Sequence, residues 1–200
     1  MQKQENGILT VKDAEGCEIQ LKSYLIPKIT VGDQSFTNII AVEDSELFKR
    51  EGTIGRSFLM QTNLLLDFPR STVIFCNSSP KLETVGYYLK NMTPVPFEII
   101  DRIGIILEVN TEMGRLKSSL GGNVSCIKKS LVEKQNPQEM HPFPIHECII
   151  GQTKLGTISA YPLNLPEQFG KLDLLIGTKI FLNHTVYFDF QNKVAYFEDN

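Results

Sequence analysis

Short runs of β-branched and aromatic residues, broken every few positions by Gly, Pro, Asn or Asp, recur from one end of this sequence to the other. Helical periodicity is scarce, so the pattern predicts an all-β protein with few short helices. Strands are expected near residues 7–11, 18–26, 29–31, 36–42, 63–68 and 73–76. A second series is expected near 97–100, 103–110, 114–119, 145–150, 155–163, 172–176, 185–190 and 193–197. Helix is expected over 127–134 and in the turns after Gly55 and Gly177.

One internal repeat organises this pattern. The segment IGRSFLMQTNLLLDFPRSTVIF, residues 54–75, aligns without a gap on IGTKIFLNHTVYFDFQNKVAYF, residues 176–197, an offset of 122. Each copy has Ile-Gly, an apolar cluster, Asp-Phe twelve residues after the glycine, and a closing Phe. In each, the Asp-Phe strand runs through a polar link into another apolar strand, the pattern of a β-hairpin. The chain therefore holds two related units, 1–80 and 97–200, joined by a proline-punctuated linker over 81–96.

The Ile-Gly, apolar cluster and Asp-Phe hairpin resembles the closing segment of a lobe in retropepsin-like and pepsin-like aspartic peptidases. There a hydrophobic-hydrophobic-Gly element meets the catalytic loop. GIILEVNTEMGRLKSSLGGNVSCIKKSL, residues 104–131, is similar to the start of such a lobe, with two strands, a loop and a short helix. The resemblance implies two aspartic-peptidase-like lobes, each a closed or partly open β-barrel. It also places Ser119 where the family has its aspartate, Leu120 at its Thr and Gly121 at its Gly, with Gly122 and Asn123 completing the loop. Activation of water by these enzymes needs a carboxylate from each lobe, and serine is no base near neutral pH. The first unit lacks the counterpart strand, which would fall before Met1. Asp13 sits in a turn-like Asp-Ala-Glu-Gly stretch between the arms of an expected flap hairpin, 8–11 and 17–21. In the second unit, Gly122, Asn123, Ile149, Ile150 and Gly151 are the groove and flap candidates for binding.

The expected function is therefore an aspartic-peptidase-like protein, inactive as written, that keeps a groove for a peptide or protein segment. Two alternatives carry weight: a piece of an active two-lobed endopeptidase whose first Asp-Thr-Gly lies upstream, and a strand-exchanged assembly protein, which allows a homodimer. Asp67 and Asp189 are expected to hold structural hydrogen bonds in equivalent hairpins. Arg56 matches an Arg that in retropepsins makes ion pairs at the dimer base.

Composition narrows the remaining classes. With 20 basic and 23 acidic residues spread along 200, no basic stripe suggests a nucleic-acid or lipid partner. The longest apolar runs are far short of the roughly 20 residues that span a bilayer, and the opening MQKQE does not read as a leader peptide. A soluble protein without a cofactor is expected. His141, His146 and His184 lack ligand spacing for a metal, and Gly121-Gly122 lacks the pattern of a phosphate loop. The four cysteines, Cys17, Cys76, Cys126 and Cys148, are compatible with two disulfides or with free thiols.

Overall fold

The computed structural model describes residues 4–12, 18–32, 34–42, 55–76, 79–100, 104–121, 124–133, 141–164 and 172–198. The chain is mostly β and falls into two compact units, Met1–Gln61 and Thr62–Asn200.

The first unit is a three-stranded antiparallel sheet, β1 (Gln4–Lys12), β2 (Glu18–Val31) and β3 (Gln34–Val42), followed by the one-turn helix α1 (Arg56–Leu59). The two strands expected over 18–26 and 29–31 are one strand. Pro27 does not end it, because Asn38 opposite adopts φ 55° and the pairing passes from Ile26↔Ile39 to Lys28↔Thr37 without using the proline. Ile26, Phe36, Ile39 and Phe58 form its buried apolar side, with the Phe36 and Phe58 rings stacked at 4.1 Å. The Gln61 amide pairs with Thr37 as a strand residue would, accepting its N–H at 3.3 Å and donating to its C=O at 3.1 Å. The expected flap arms, within β1 and β2, do pair antiparallel. Asp13 and Cys17 lie outside the described residues.

The second unit carries β4 (Asn63–Asp67), β5 (Thr72–Cys76), α2 (Ser79–Glu83), β6 (Met92–Pro96) and β7 (Glu98–Ile100). It continues with β8 (Gly104–Thr111), β9 (Gly114–Leu120), β10 (Ser125–Lys128), α3 (Lys129–Val132), β11 (Phe143–Ile150) and β12 (Thr153–Leu163). It closes with β13 (Leu174–Ile176), a 3-10 segment over Thr178–Asn183, β14 (Thr185–Asp189) and β15 (Val194–Glu198). Where a helix was expected over 127–134, residues 125–128 are strand and only 129–132 are helical. Ser125 and Ile127 turn inward at a spacing of two, which only a strand gives.

Six of these strands close a barrel in the order β11-β12-β10-β13-β9-β8, with β8 returning to β11 and β7 added on β8. Alternation buries Leu107, Val109, Leu116, Ile127, Ile158 and Leu174. Each such side chain contributes about 1.5–3 kcal/mol by leaving water.

The repeat supplies four strands of a five-stranded sheet, β5-β4-β14-β15-β6, with β6 added from outside it. Both hairpins pair in the same register: Leu66 faces Val73, and Phe188 faces Ala195, each 122 positions on. Their turns are also alike. Asp67 accepts the Arg70 N–H at 2.9 Å and Asp189 accepts the Asn192 N–H at 3.0 Å, while Ser71 and Lys193 take φ of 50° and 55°. β4 and β14 pair antiparallel with Leu65 directly opposite Tyr187, its own counterpart in the repeat. The two hairpins are thus related by a local two-fold axis through that pair. One face of the sheet is sealed by a core of Leu65, Cys76, Leu82, Met92 and Tyr187. Leu82 comes from α2, within the segment read as linker.

Candidate functional site

β13 is a three-residue strand from far along the chain, yet it occupies the middle of the barrel wall. It runs parallel to β9 and antiparallel to β10. Leu174 and Ile176 are fully buried, which fixes its register. This insertion places Ile176-Gly177 between the two arms of the 119–125 loop. The Gly121 N–H donates to the Ile176 C=O at 3.1 Å, and the Gly177 N–H donates to the Ser125 Oγ at 3.0 Å. A Cβ on Gly177 would lie 2.8 Å from the Val124 carbonyl carbon and 3.1 Å from the Ser125 nitrogen, so only glycine allows this approach.

Within the clasped loop, Ser119 is buried, opposite Ile106 and beside Leu175. Leu120 is half-buried beside Ile176, and Gly121 is exposed with φ 140°. Gly122 and Asn123 lie outside the described residues, as does the Arg56 side chain. Asp173, the carboxylate that precedes β13, is engaged with backbone. Its Oδ2 accepts the Lys117 N–H at 3.0 Å, its own N–H donates to the Lys117 C=O at 2.9 Å, and its C=O accepts the Lys128 N–H at 2.8 Å. The arrangement holds a loop in place and offers a buried hydroxyl at its entry.

The other candidates sit elsewhere. Ile149 pairs with Lys154 and Asn110, fully buried Ile150 pairs with Thr153, and Gly151 makes the turn from β11 to β12 with φ 62°. That turn is seated on β6, because a Cβ on Gly151 would come within 2.6 Å of Thr93 Cγ2 and 2.8 Å of Val95 Cγ2. Ser119 lies opposite Ile106 and Ile149 opposite Asn110. The two groups therefore meet β8 four residues apart, roughly 13 Å at the rise of a strand.

Gly151 does border a cleft of about 420 Å³, within the range of small-ligand pockets. The chain creates this cleft by changing sheets at Phe97. β6 pairs with β15, whereas β7 pairs with β8. Residues 94–98 form one wall and residues 106–108 with Asn110 the other, with Arg115 and Lys117 at the rim. The Arg115–Glu108 ion pair, 3.2 Å, has both partners more than half exposed, which leaves it worth at most about 1 kcal/mol.

The alternation of backbone groups shows what faces the cleft. Lys117 and Gly121 turn their backbone groups toward the β13 side, so by alternation Leu116, Ser118 and Leu120 of β9 turn theirs toward β8. Leu107 and Val109 pair with Ser118 and Leu116 and complete that ladder. Ile106, Glu108 and Asn110 must face away from β9, and the Glu112 N–H bond to the His146 C=O at 3.4 Å follows the same parity. Ile106 meets β7 and Asn110 meets β11. Among the described residues no strand pairs with Glu108 on that side.

A charged cluster that sequence reasoning missed joins Asp67 to Tyr87. The buried Asp67 carboxylate accepts the Tyr87 hydroxyl at 2.6 Å, the Arg70 Nη1 at 2.9 Å and the Arg70 N–H at 2.9 Å. Burial alone would raise the Asp67 carboxyl, but these donors outweigh it and hold the group below its ordinary value. Arg70 also lies over the Tyr87 ring, 5.7 Å from its centroid. The hairpin marked Asp67, but nothing in the sequence pattern ties it to a tyrosine 20 positions on.

Cys76, Cys126 and Cys148 are free thiols, which removes the two-disulfide alternative among the described residues. Burial pushes Cys148 up to about 11 and raises Cys126. His184 is buried, which lowers its pKa against the pull of Glu198, whereas His141 and His146 are exposed. Among the described residues no helix is long and apolar enough to cross a membrane. Compared with known protein families and with characterised proteins, the chain matches neither a family model nor an individual protein.

Proposed function

We propose that this chain is an aspartic-peptidase-like β-protein without peptidase chemistry of its own, and that it acts by holding an extended peptide. The observation that carries this reading is the clasp of Ile176-Gly177 on the loop entered through Ser119-Leu120-Gly121. A hydrophobic-hydrophobic-Gly element against a loop of this kind is the arrangement that the family uses to present Asp-Thr-Gly. Here the aspartate position carries a buried serine and the threonine position a leucine. A hydroxyl cannot replace a carboxylate that shares a proton and activates water. What remains useful in such a fold is binding, and extended peptides bind β-proteins through main-chain hydrogen bonds without any catalytic group.

The test is cleavage of an unstructured protein substrate by the folded chain across acidic to neutral pH, with and without pepstatin. No pepstatin-sensitive cleavage is expected. Inhibitable cleavage would overturn the reading. The local two-fold of the hairpins favours one alternative, a two-lobed endopeptidase completed by an Asp-Thr-Gly from outside this chain. Gain of pepstatin-sensitive cleavage in Ser119→Asp would support that alternative.

A further inference from the structure

We infer that β5 is a docking edge for a second copy of this chain, which adds its own β5 antiparallel about Val73 and joins the two five-stranded sheets edge to edge. The sheet ends on β6 at one side and on β5 at the other. β6 is guarded, because Pro94 and Pro96 face outward and have no N–H to offer. β5, Thr72–Cys76, carries neither a proline nor a charge. Its twin β15 shows which groups lie at that edge. The Phe97 N–H reaches the Lys193 C=O at 2.9 Å and Val95 pairs with Ala195, so Lys193 and Ala195 turn their backbone groups toward β6. The two hairpins share one register, so the equivalent residues, Ser71 and Val73, turn theirs away from β4. Among the described residues no strand pairs with β5 on that side.

Side chains mark the same gap. In the second hairpin Ala195 is fully buried beside Val95, and the Phe97 ring stands edge-on to Phe188 and Phe190, with centroids 6.2 and 6.0 Å away. Phe188 and Phe190 are thereby left only 7% and 8% exposed. Their equivalents in the first hairpin lack such cover: Val73 is 55% exposed, and Leu66 and Phe68 are half-buried. The strand that fits runs antiparallel to β5, with an apolar residue against Val73 and an aromatic one two positions later, as Val95 and Phe97 are placed on β15. β5 itself reads Val73-Ile74-Phe75. Paired about Val73, each copy lays this valine against its equivalent and turns its Phe75 ring toward Leu66 and Phe68 of the other. The contact is the same from both sides and closes as a dimer. It engages the five residues of β5 from each copy. A standard interface uses roughly 20–30 a side, so this association is weak and reversible.

The test is sedimentation equilibrium of the full chain at concentrations from about 5 to 500 μM, where a dissociation constant on the order of 100 μM is expected. Val73→Lys sets two like charges directly opposite each other, at a position exposed enough to leave the fold intact. Val73→Pro removes the N–H given to the second copy and spares the ladder to β4, since that N–H faces outward. Each is expected to raise the dissociation constant at least about tenfold, with cooperative unfolding retained. The two substitutions act by different means, so loss of the fold in one leaves the other to decide. A chain that stays monomeric throughout the range would overturn the inference. Binding of a labelled Thr-Val-Ile-Phe-Ser peptide by that monomer would assign the edge to a peptide instead of a second copy. A dimer that neither substitution weakens would overturn the placement at β5.

Discussion

Asp67 and Asp189 hold the same place in the two hairpins, yet they are not equivalent residues energetically. Asp67 is buried and gathers a tyrosine, a guanidinium and a backbone N–H, whereas Asp189 is half-buried and bonds only to the backbone and side chain of Asn192. Asp67→Ala is expected to cost about 2 kcal/mol in urea unfolding, because three hydrogen bonds to a charged, buried acceptor are lost, and Asp189→Ala about 1 kcal/mol or less. The pH dependence follows from the lowered Asp67 value. A carboxyl depressed by folding stabilises above its unfolded value, and this contribution fades as pH falls through the depressed one. Unfolding free energy measured against pH should lose part of its acid limb in Asp67→Ala. Gly177→Ala is expected to cost about 1–3 kcal/mol, since the added Cβ meets backbone that cannot give way; the thermal midpoint reads this. Buried Cys76 and Cys148 should react with a thiol reagent near neutral pH only on unfolding. Among these residues, Gly177 and the two aspartates were legible because the repeat displays them twice. Tyr87 was not, because its partner is chosen by packing over a distance that no periodicity spans.

Individual strands were legible wherever apolar residues alternate between turn signals, and both hairpins of the repeat lie where the pattern places them. The misreadings have separate causes. β10 is four residues long and runs directly into α3, so its spacing of two is too short to compete with the helical pattern that follows. β6 contains Pro94 and Pro96, which read as linker punctuation. They are tolerated because the Phe97 N–H reaches the Lys193 C=O at 2.9 Å, which sets the parity of the strand. By that parity Thr93 and Val95 serve β15, and the two prolines face outward. Val95→Pro should therefore destabilise the five-stranded sheet by about 1–3 kcal/mol through a lost ladder bond, although prolines on either side cost nothing comparable. Chemical denaturation of that variant beside Pro94→Ala checks the contrast.

On the scale of the molecule, the two units differ in how much apolar surface each encloses. The first rests on Ile26, Phe36, Ile39 and Phe58, while Ile8, Leu9 and Ile40 remain exposed; the second encloses a barrel and a sealed sheet. Hydrogen exchange is expected to be faster throughout β1–β3 than in β8, β9 and β13, because local opening is easiest where few buried contacts oppose it. Comparable protection in the two sets would contradict this. The distance along β8 between Ser119–Gly121 and Ile149–Gly151 is set by barrel closure, which residue patterns do not encode. The cleft was hidden for a related reason: it arises from a change of sheet at Phe97. The pairing of Leu65 with Tyr187 reaches further. Two hairpins that meet about an axis, each at its own equivalent, have the geometry by which identical subunits associate. The two hairpins thus reproduce, within one polypeptide, the kind of contact by which identical subunits pair. Unlike identical subunits, two halves of one polypeptide need not stay alike, and here Asp67 holds an arginine and a tyrosine whereas its counterpart Asp189 holds an asparagine.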